Sequence, residues 1–187
     1  VMELSTVSKK KAIATTRTFE GMLTNFIDLK ERVSTFAFSC SEKLRKENSC
    51  CNLIMIFIHT NGHRKDLNQY NRNIVVTLPF PSNSAIELSK YATKGLKKIY
   101  KENFNYKKAG VIVMGITPQN QKQFSIFEKE NLKHPELMFA IDKLNKVNGK
   151  HIVKLASQDA KRTWKMNQER LSPRYTTRLD EIIKIKV

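Results

Sequence analysis

Few residues in this chain have the type and spacing that chemistry needs. His59 and His63 stand four apart, the separation at which a helix turns two imidazoles toward one metal ion. The stretch HTNGH around them is built of turn formers, so the pair belongs to a loop and no metal site is expected there. The carboxylates Asp28, Asp66, Asp142 and Asp180 are scattered among unrelated elements, unlike the paired acids of a two-metal centre. A glycine-rich phosphate loop is absent, and no Ser/His/Asp or Cys/His pairing has local support. Cys40, Cys50 and Cys51 are odd in number and lack a disulfide framework, which fits packing residues in a reducing compartment. The pattern is that of a binding module rather than a reaction centre.

What the chain does have is charge. Lys and Arg number 34 against 17 Asp and Glu, for a net charge of +17. Such an excess attracts polyanions, nucleic acid first and an anionic membrane second; a merely soluble basic protein is the plain alternative. Clusters at Lys9 to Lys11, Lys97-Lys98 and Lys107-Lys108 suit a positive face. A different signal is QKQFSIFEKEN, Gln121–Asn131, where Phe124, Ile126 and Phe127 sit among lysines and glutamines after a Thr-Pro break. Either a local core takes these side chains or another protein does.

The elements that must position these residues follow from periodicity. The 187 residues, 40% of them apolar, suffice for a domain with a real core plus an appendage, or for two small domains. No apolar run approaches the roughly 18 residues of a membrane span, and no signal peptide is visible. The polar start at Val1 reads as a lead-in from something larger. Alternation predicts a strand over Lys9–Phe19, with Lys11, Ile13, Thr15 and Arg17 on one face and Ala12, Ala14, Thr16 and Thr18 on the other. A helix is expected from a Thr24 cap to Lys46, with Phe26, Leu29, Val33, Phe36 or Ala37, Cys40 and Leu44 inward. Cys50–Thr60 is a nearly continuous apolar strand. Asn73–Phe80 is another, closed by Pro79 and Pro81. A capping box, Ser84 with Glu87, opens a helix whose stripe is Leu88, Ala92, Leu96 and Ile99, with Gly95 inside it for close approach to the sheet. Ala109–Thr117 is the fourth strand. The fold class is therefore α+β, in the order β-α-β-β-α-β. It has a four-stranded, mainly antiparallel sheet with two helices on one face. The other face is left over, with Arg17, Thr15 and Lys11 as candidates to lie there. A polar run then leads to a short helix bounded by Pro135 and Asn148-Gly149, with Leu137, Ile141 and Leu144 as its stripe. Lys150–Ser157 suggests a short strand, and the rest is basic and mostly extended. No internal repeat is present.

WKMNQERLSPRYTTRLDEI, Trp164–Ile182, resembles the C-terminal signature of UmuC-type Y-family translesion DNA polymerases, the polymerase V catalytic subunits. Trp164, Met166, Ser172, Pro173, Arg174, Tyr175, Thr176 and Thr177 match that pattern. LMFAIDKLN followed by Gly149 is similar to the segment before it, KKKAIATTRTF to the first strand of the family's little finger, and Ser41–Arg45 to a family AEKLR run. The resemblance covers nearly the whole chain and implies the following division. Residues 1–8 lead from a polymerase core, 9–118 form the little finger, 119–133 a linker, and 134–187 the C-terminal UmuC-type region. It places the palm, with its Mg2+-binding carboxylates, before Val1, so the segment itself is expected to hold no cofactor and to have no polymerase activity.

The resemblance also assigns the apolar residues of the linker. Family members carry a sliding-clamp motif of the form Q-L-[S/D/N]-L-F in that place, occupied here by Gln123, Phe124, Ser125, Ile126 and Phe127, with Phe and Ile replacing the two leucines. The little finger implies backbone contacts to primer-template duplex DNA. Lys9, Lys10, Lys11 and Arg17 lead the candidates, Thr15 and Thr77 add hydroxyls, and His59, Asn61 and Arg64 lie near a strand end. A UmuD-type subunit and the recombinase filament are further implied partners, a membrane is not, and the setting is the bacterial cytoplasm and the SOS response to DNA damage. Two other readings stay open: a free-standing basic adaptor that recruits the clamp or other proteins without true DNA binding, and an RNA-binding sheet of the RRM type, disfavoured because Phe57 is the only aromatic in its central stretch.

Overall fold

The computed structural model describes residues 10–122, 131–149, 152–159 and 171–181. Strand β1 (Ala12–Leu23) leads into helix α1 (Phe26–Lys46), then β2 (Ser49–Thr60), β3 (Asn71–Ser82), helix α2 (Ala85–Ile99) and β4 (Tyr106–Pro118). Helix α3 (His134–Asn148) follows. The four strands form one sheet in the order β1-β4-β2-β3, every neighbouring pair antiparallel. The expected β-α-β-β-α-β order and α+β class are therefore present, with a short helix after them.

Both helices pack on one face of the sheet. Leu29, Val33, Ala37, Cys40 and Leu44 of α1 and Leu88, Ala92 and Leu96 of α2 are fully buried against Ile54, Ile56, Ile58, Val111 and Val113. The three- and four-residue steps in the helices and the two-residue steps in the strands make that packing possible. Gly95 lets α2 come close: a Cβ there would stand 2.7 Å from Ile56 Cδ1 and 3.1 Å from Val76 Cγ2.

Several boundaries differ from expectation for local reasons. The cap of α1 is Asn25, whose Oδ1 accepts from the Ile27 N–H at 2.9 Å, because the Thr24 carbonyl is engaged outside the helix by the Tyr100 hydroxyl at 2.7 Å. Strand β3 runs through Pro79 and Pro81 to Ser82, since it is an edge strand with one side free of ladder bonds. Ser84 caps α2 by position, yet its hydroxyl meets His134 Nδ1 at 3.2 Å in place of a capping bond. Residues 152–157 form bends and a turn rather than a strand.

Helix α3 docks on the helical layer. Met138 and Ile141 are buried with Phe38 and Ala85 in a second small core, while Leu137 and Leu144, expected inward, are 45% and 47% exposed. Polar contacts fix the position. Arg45 gives a two-pronged bond to Asp142 at 2.6 and 2.7 Å and a third to the Asn83 carbonyl at 2.7 Å. Arg32 pairs with Asp159 at 2.8 Å. The hydroxyls of Ser34, Ser89 and Ser157 meet between α1, α2 and the segment after α3. This material packs against part of the helical layer and, among the described residues, leaves the opposite sheet face uncovered.

Candidate nucleic-acid interface

The registers fix which side chains share the face that α1 and α2 do not cover. Successive strand residues point to opposite sides. With Ile54, Ile56, Ile58, Ala109, Val111 and Val113 in the core, the partner set must look outward. Four rows run across the sheet from β1 to β3. They are Ala12, Met114, Leu53 and Thr77; Ala14, Ile112, Met55 and Val75; Thr16, Gly110, Phe57 and Asn73; and Thr18, Lys108, His59 and Asn71. The first two rows are largely apolar, with Val75 49% exposed. The last two carry hydroxyls, amides, an imidazole and an ammonium.

Gly110 shapes the middle of this face. A Cβ there would lie 2.5 Å from Phe57 Cε1 and 2.6 Å from Thr16 Cγ2, so the bare backbone lets the Phe57 ring settle across β4. Phe57 is consequently only 8% exposed. His59 packs beside it, centroids 4.9 Å apart, and Lys108 Nζ stands 6.0 Å from the ring centre. Burial, and then the Lys108 ammonium, lower the His59 pKa below its ordinary value, so the imidazole is held neutral and able both to give and to accept a hydrogen bond.

The candidate residues separate on this map. Thr77 and His59 lie on the open face. Thr15 does not: it shares the helix-facing side with Ile13, and its Oγ1 meets Cys40 Sγ at 3.3 Å and Lys43 Nζ at 3.2 Å. Arg17 has the same parity as Ile13 and Phe19 and sits on the edge strand, its Nη1 bonding the Thr16 carbonyl at 3.0 Å. The alternation was right and the choice of face wrong, because the two large apolar residues, Ile13 and Phe19, decide the side, not the charged majority around them. Lys11 precedes β1 and is exposed, and Lys10 is ion-paired with Glu47. Lys9 lies outside the described residues.

At the Lys108 end, the loop from β2 to β3 is tied together by its own side chains. The Gln69 amide donates to the carbonyls of Asn61, Arg64 and Leu67. Asn61 Oδ1 accepts from the His63 N–H at 3.2 Å. Arg64 forks onto Asp66 at 2.8 and 2.6 Å, which holds the exposed Asp66 carboxyl at about 2. Arg64 therefore spends much of its charge within the loop. The face is thus not a uniformly positive platform but a half-apolar surface with a donor-rich end. Thr16, Thr18, Lys108, Asn71 and Asn73 were missed as candidates, and the parity of Ile13 and of Ala109, Val111 and Val113 was the signal that places them.

Among the described residues, no three His, Cys, Asp or Glu side chains gather to hold a metal ion. No described helix is long and apolar enough to cross a membrane. Ser172, Pro173, Arg174, Tyr175, Thr176 and Thr177 are exposed, and the Arg174 N–H bonds Glu181 Oε2. Tyr175 is 49% exposed. Trp164, Met166 and the whole of Gln123, Phe124, Ser125, Ile126 and Phe127 lie outside the described residues.

With this geometry in view, the family follows from comparison. Residues 10–126 match the impB/mucB/samB family C-terminal domain. The chain belongs to that family. Residues 135–185 match a second model, Domain of unknown function (DUF4113). Protein UmuC of Salmonella typhimurium is 31% identical over 179 residues, 95% of this chain and 42% of the relative. Protein ImpB of Salmonella typhimurium is 30% identical over 175 residues, 92% of this chain and 41% of the relative. Protein MucB of Escherichia coli is 28% identical over 170 residues, 90% of this chain and 40% of the relative. The chain spans roughly two fifths of the length of these relatives. Within this family member, the first match contains the sheet with α1 and α2, and the second begins at α3.

Proposed function

We propose that the chain is the DNA-binding and clamp-binding portion of an error-prone translesion DNA polymerase acting in tolerance of DNA damage. The observation that carries this reading is the sheet face left open by two helices that both pack on the other side, with hydroxyl, amide, imidazole and ammonium donors gathered at one end. Family membership supports it. Residues 9–118 are the grip, 119–133 the tether with the clamp motif Gln123–Phe127, and 134–187 a region whose helix α3 braces the helical layer.

Donors of this kind bond phosphate oxygens and read no base, which suits a protein that must follow any sequence, damaged template included. Thr16, Thr18, Thr77, Asn71 and Asn73 donate neutral hydrogen bonds; Lys108 supplies charge. His59 gains a proton when a phosphate approaches, since a nearby anion offsets the lowering by burial and Lys108. The half-apolar rows rest against sugar edges. The RNA-stacking reading is disfavoured by Phe57, the only Phe, Tyr or Trp in the four rows, which is tucked across Gly110 and not free to stack. Mg2+ chemistry does not belong to this segment in the account: Asp66, Asp142 and Asp159 are each engaged by an arginine.

The test is a titration of a labelled primer-template duplex across salt concentrations, with a clamp-pocket peptide competition alongside. Neutralising about four to six phosphates gives a slope of log K against log salt near −4 to −5. A flat response with intact clamp competition makes the chain an adaptor and overturns the DNA reading.

A further inference from the structure

The outward side of α2 carries a charge pattern that α1 lacks. Lys90, Lys94, Lys97 and Lys98 are all exposed and fall at helical spacings on the side opposite Leu88, Ala92, Leu96 and Ile99. On α1, acidic and basic residues alternate and find one another: Lys46 with Glu42, and Arg45 and Arg32 with carboxylates of the later segment. On α2 the one acidic neighbour is Glu87, which reaches Lys90 at 3.9 Å. Among the described residues, Lys94, Lys97 and Lys98 have no carboxylate within ion-pair distance. Lys90 and Lys94 instead both stand over the Tyr91 ring, at 5.6 and 5.9 Å from its centre. Like charges at i and i+4 destabilise a helix, and both Lys90 with Lys94 and Lys94 with Lys98 are such pairs.

We propose that this lysine face of α2 is a second nucleic-acid site, taking the phosphates of a single strand separate from any duplex on the open sheet face. A duplex lying on the sheet face would not reach it. The two surfaces lie on opposite layers of the molecule, and a helix packed on a sheet puts its outer side chains well over 10 Å from the sheet's far face. The chemistry favours nucleic acid over a protein partner. Protein interfaces are poor in lysine and need apolar or arginine anchors, and this face offers a lone half-buried tyrosine. A row of exposed, carboxylate-free lysines tracks the phosphates of a strand without regard to its sequence. The site does not rest on DNA occupying the sheet.

The experiment is a lysine-acetylation footprint, read by mass spectrometry, of the 187-residue chain with an oligo-dT strand, with a duplex, and with vesicles containing phosphatidylserine. Oligo-dT protects Lys94, Lys97 and Lys98. Lys108, on the sheet face, reports that other surface separately. A variant with Lys90→Gln, Lys94→Gln, Lys97→Gln and Lys98→Gln keeps its fold, melts no lower than the parent, and loses about 2 to 3 from its single-strand salt slope. Unprotected α2 lysines with oligo-dT bound, an unchanged slope in the variant, or protection by vesicles alone would each overturn the proposal. Loss of Lys108 protection with α2 protection retained counts against the sheet reading only.

Discussion

Gly110→Ala probes how the open face is built. The new methyl would stand 2.5 and 2.6 Å from Phe57 Cε1 and Cζ, and 2.6 Å from Thr16 Cγ2. Carbon atoms at rest keep about 3.5 to 4.0 Å apart, so the ring must withdraw by about 1 Å. The way sideways is taken by His59, 4.9 Å from the ring centre. The ring therefore lifts toward solvent and gives up a burial now 92% complete, the complement of its 8% exposure. Overpacking of this kind costs about 1–3 kcal/mol. In a chain of this size each kcal/mol moves Tm by about 2–4 °C, so Tm falls by about 2–12 °C. A double-mutant cycle makes the cause specific. Phe57→Leu frees the space over Gly110, so Gly110→Ala costs less in that background, with a coupling of about 1 kcal/mol or more. Thermal and urea melts of the four proteins supply the numbers. A Gly110→Ala protein melting like the parent, or two substitutions that simply add, would refute the reasoning.

Met138→Ala empties the small core under α3 and costs about 2–5 kcal/mol. Amide exchange should rise in α3 ahead of β4, and uniform acceleration would contradict separate docking. His59 makes the fold acid-sensitive in a defined direction. Its folded pKa is lowered, so the unfolded chain binds the proton first. That part of the stability is complete above pH of about 6.5 and is lost as the pH falls through that value toward the folded one. His59→Gln should flatten the melting-versus-pH curve there, and identical curves would count against it. Burial foremost, with Cys50 and Cys40 nearby, pushes the Cys51 thiol up to about 12. Thiol reagents at pH 8 should therefore label Cys51 only as fast as the chain opens; immediate labelling would show that the thiol is accessible.

The parts of the fold legible in the sequence were those where one residue type dominates a face. Ile54, Ile56 and Ile58, or Leu88, Ala92 and Leu96, leave little choice of side, and their strands and helices followed. Where the apolar signal was sparse, the reading failed in a consistent way. On β1, Ile13 and Phe19 outweighed the visible charges of Lys11 and Arg17. On α3, Ile141 turned inward as expected, but Met138 joined it in place of Leu137 and Leu144 because Phe38 and Ala85 were there to receive it, which no local pattern on α3 records. The bond from Arg45 to Asp142 joins residues 97 apart and was beyond any windowed reading. The candidate interface was half legible for the same reason: Thr77 and His59 come from strands with a clear parity, whereas Thr15 comes from the strand where the parity was misjudged.

A photo-crosslinking residue at Val75 tests the central claim most directly. Val75 points to the open face from the edge strand β3 and is 49% exposed, so the label reaches out without disturbing the core. With a bound primer-template duplex, the account predicts efficient crosslinking from Val75 and none from the same residue placed at Glu31, on the helical side. A duplex that binds with unchanged affinity yet crosslinks at Glu31 and never at Val75 would contradict it.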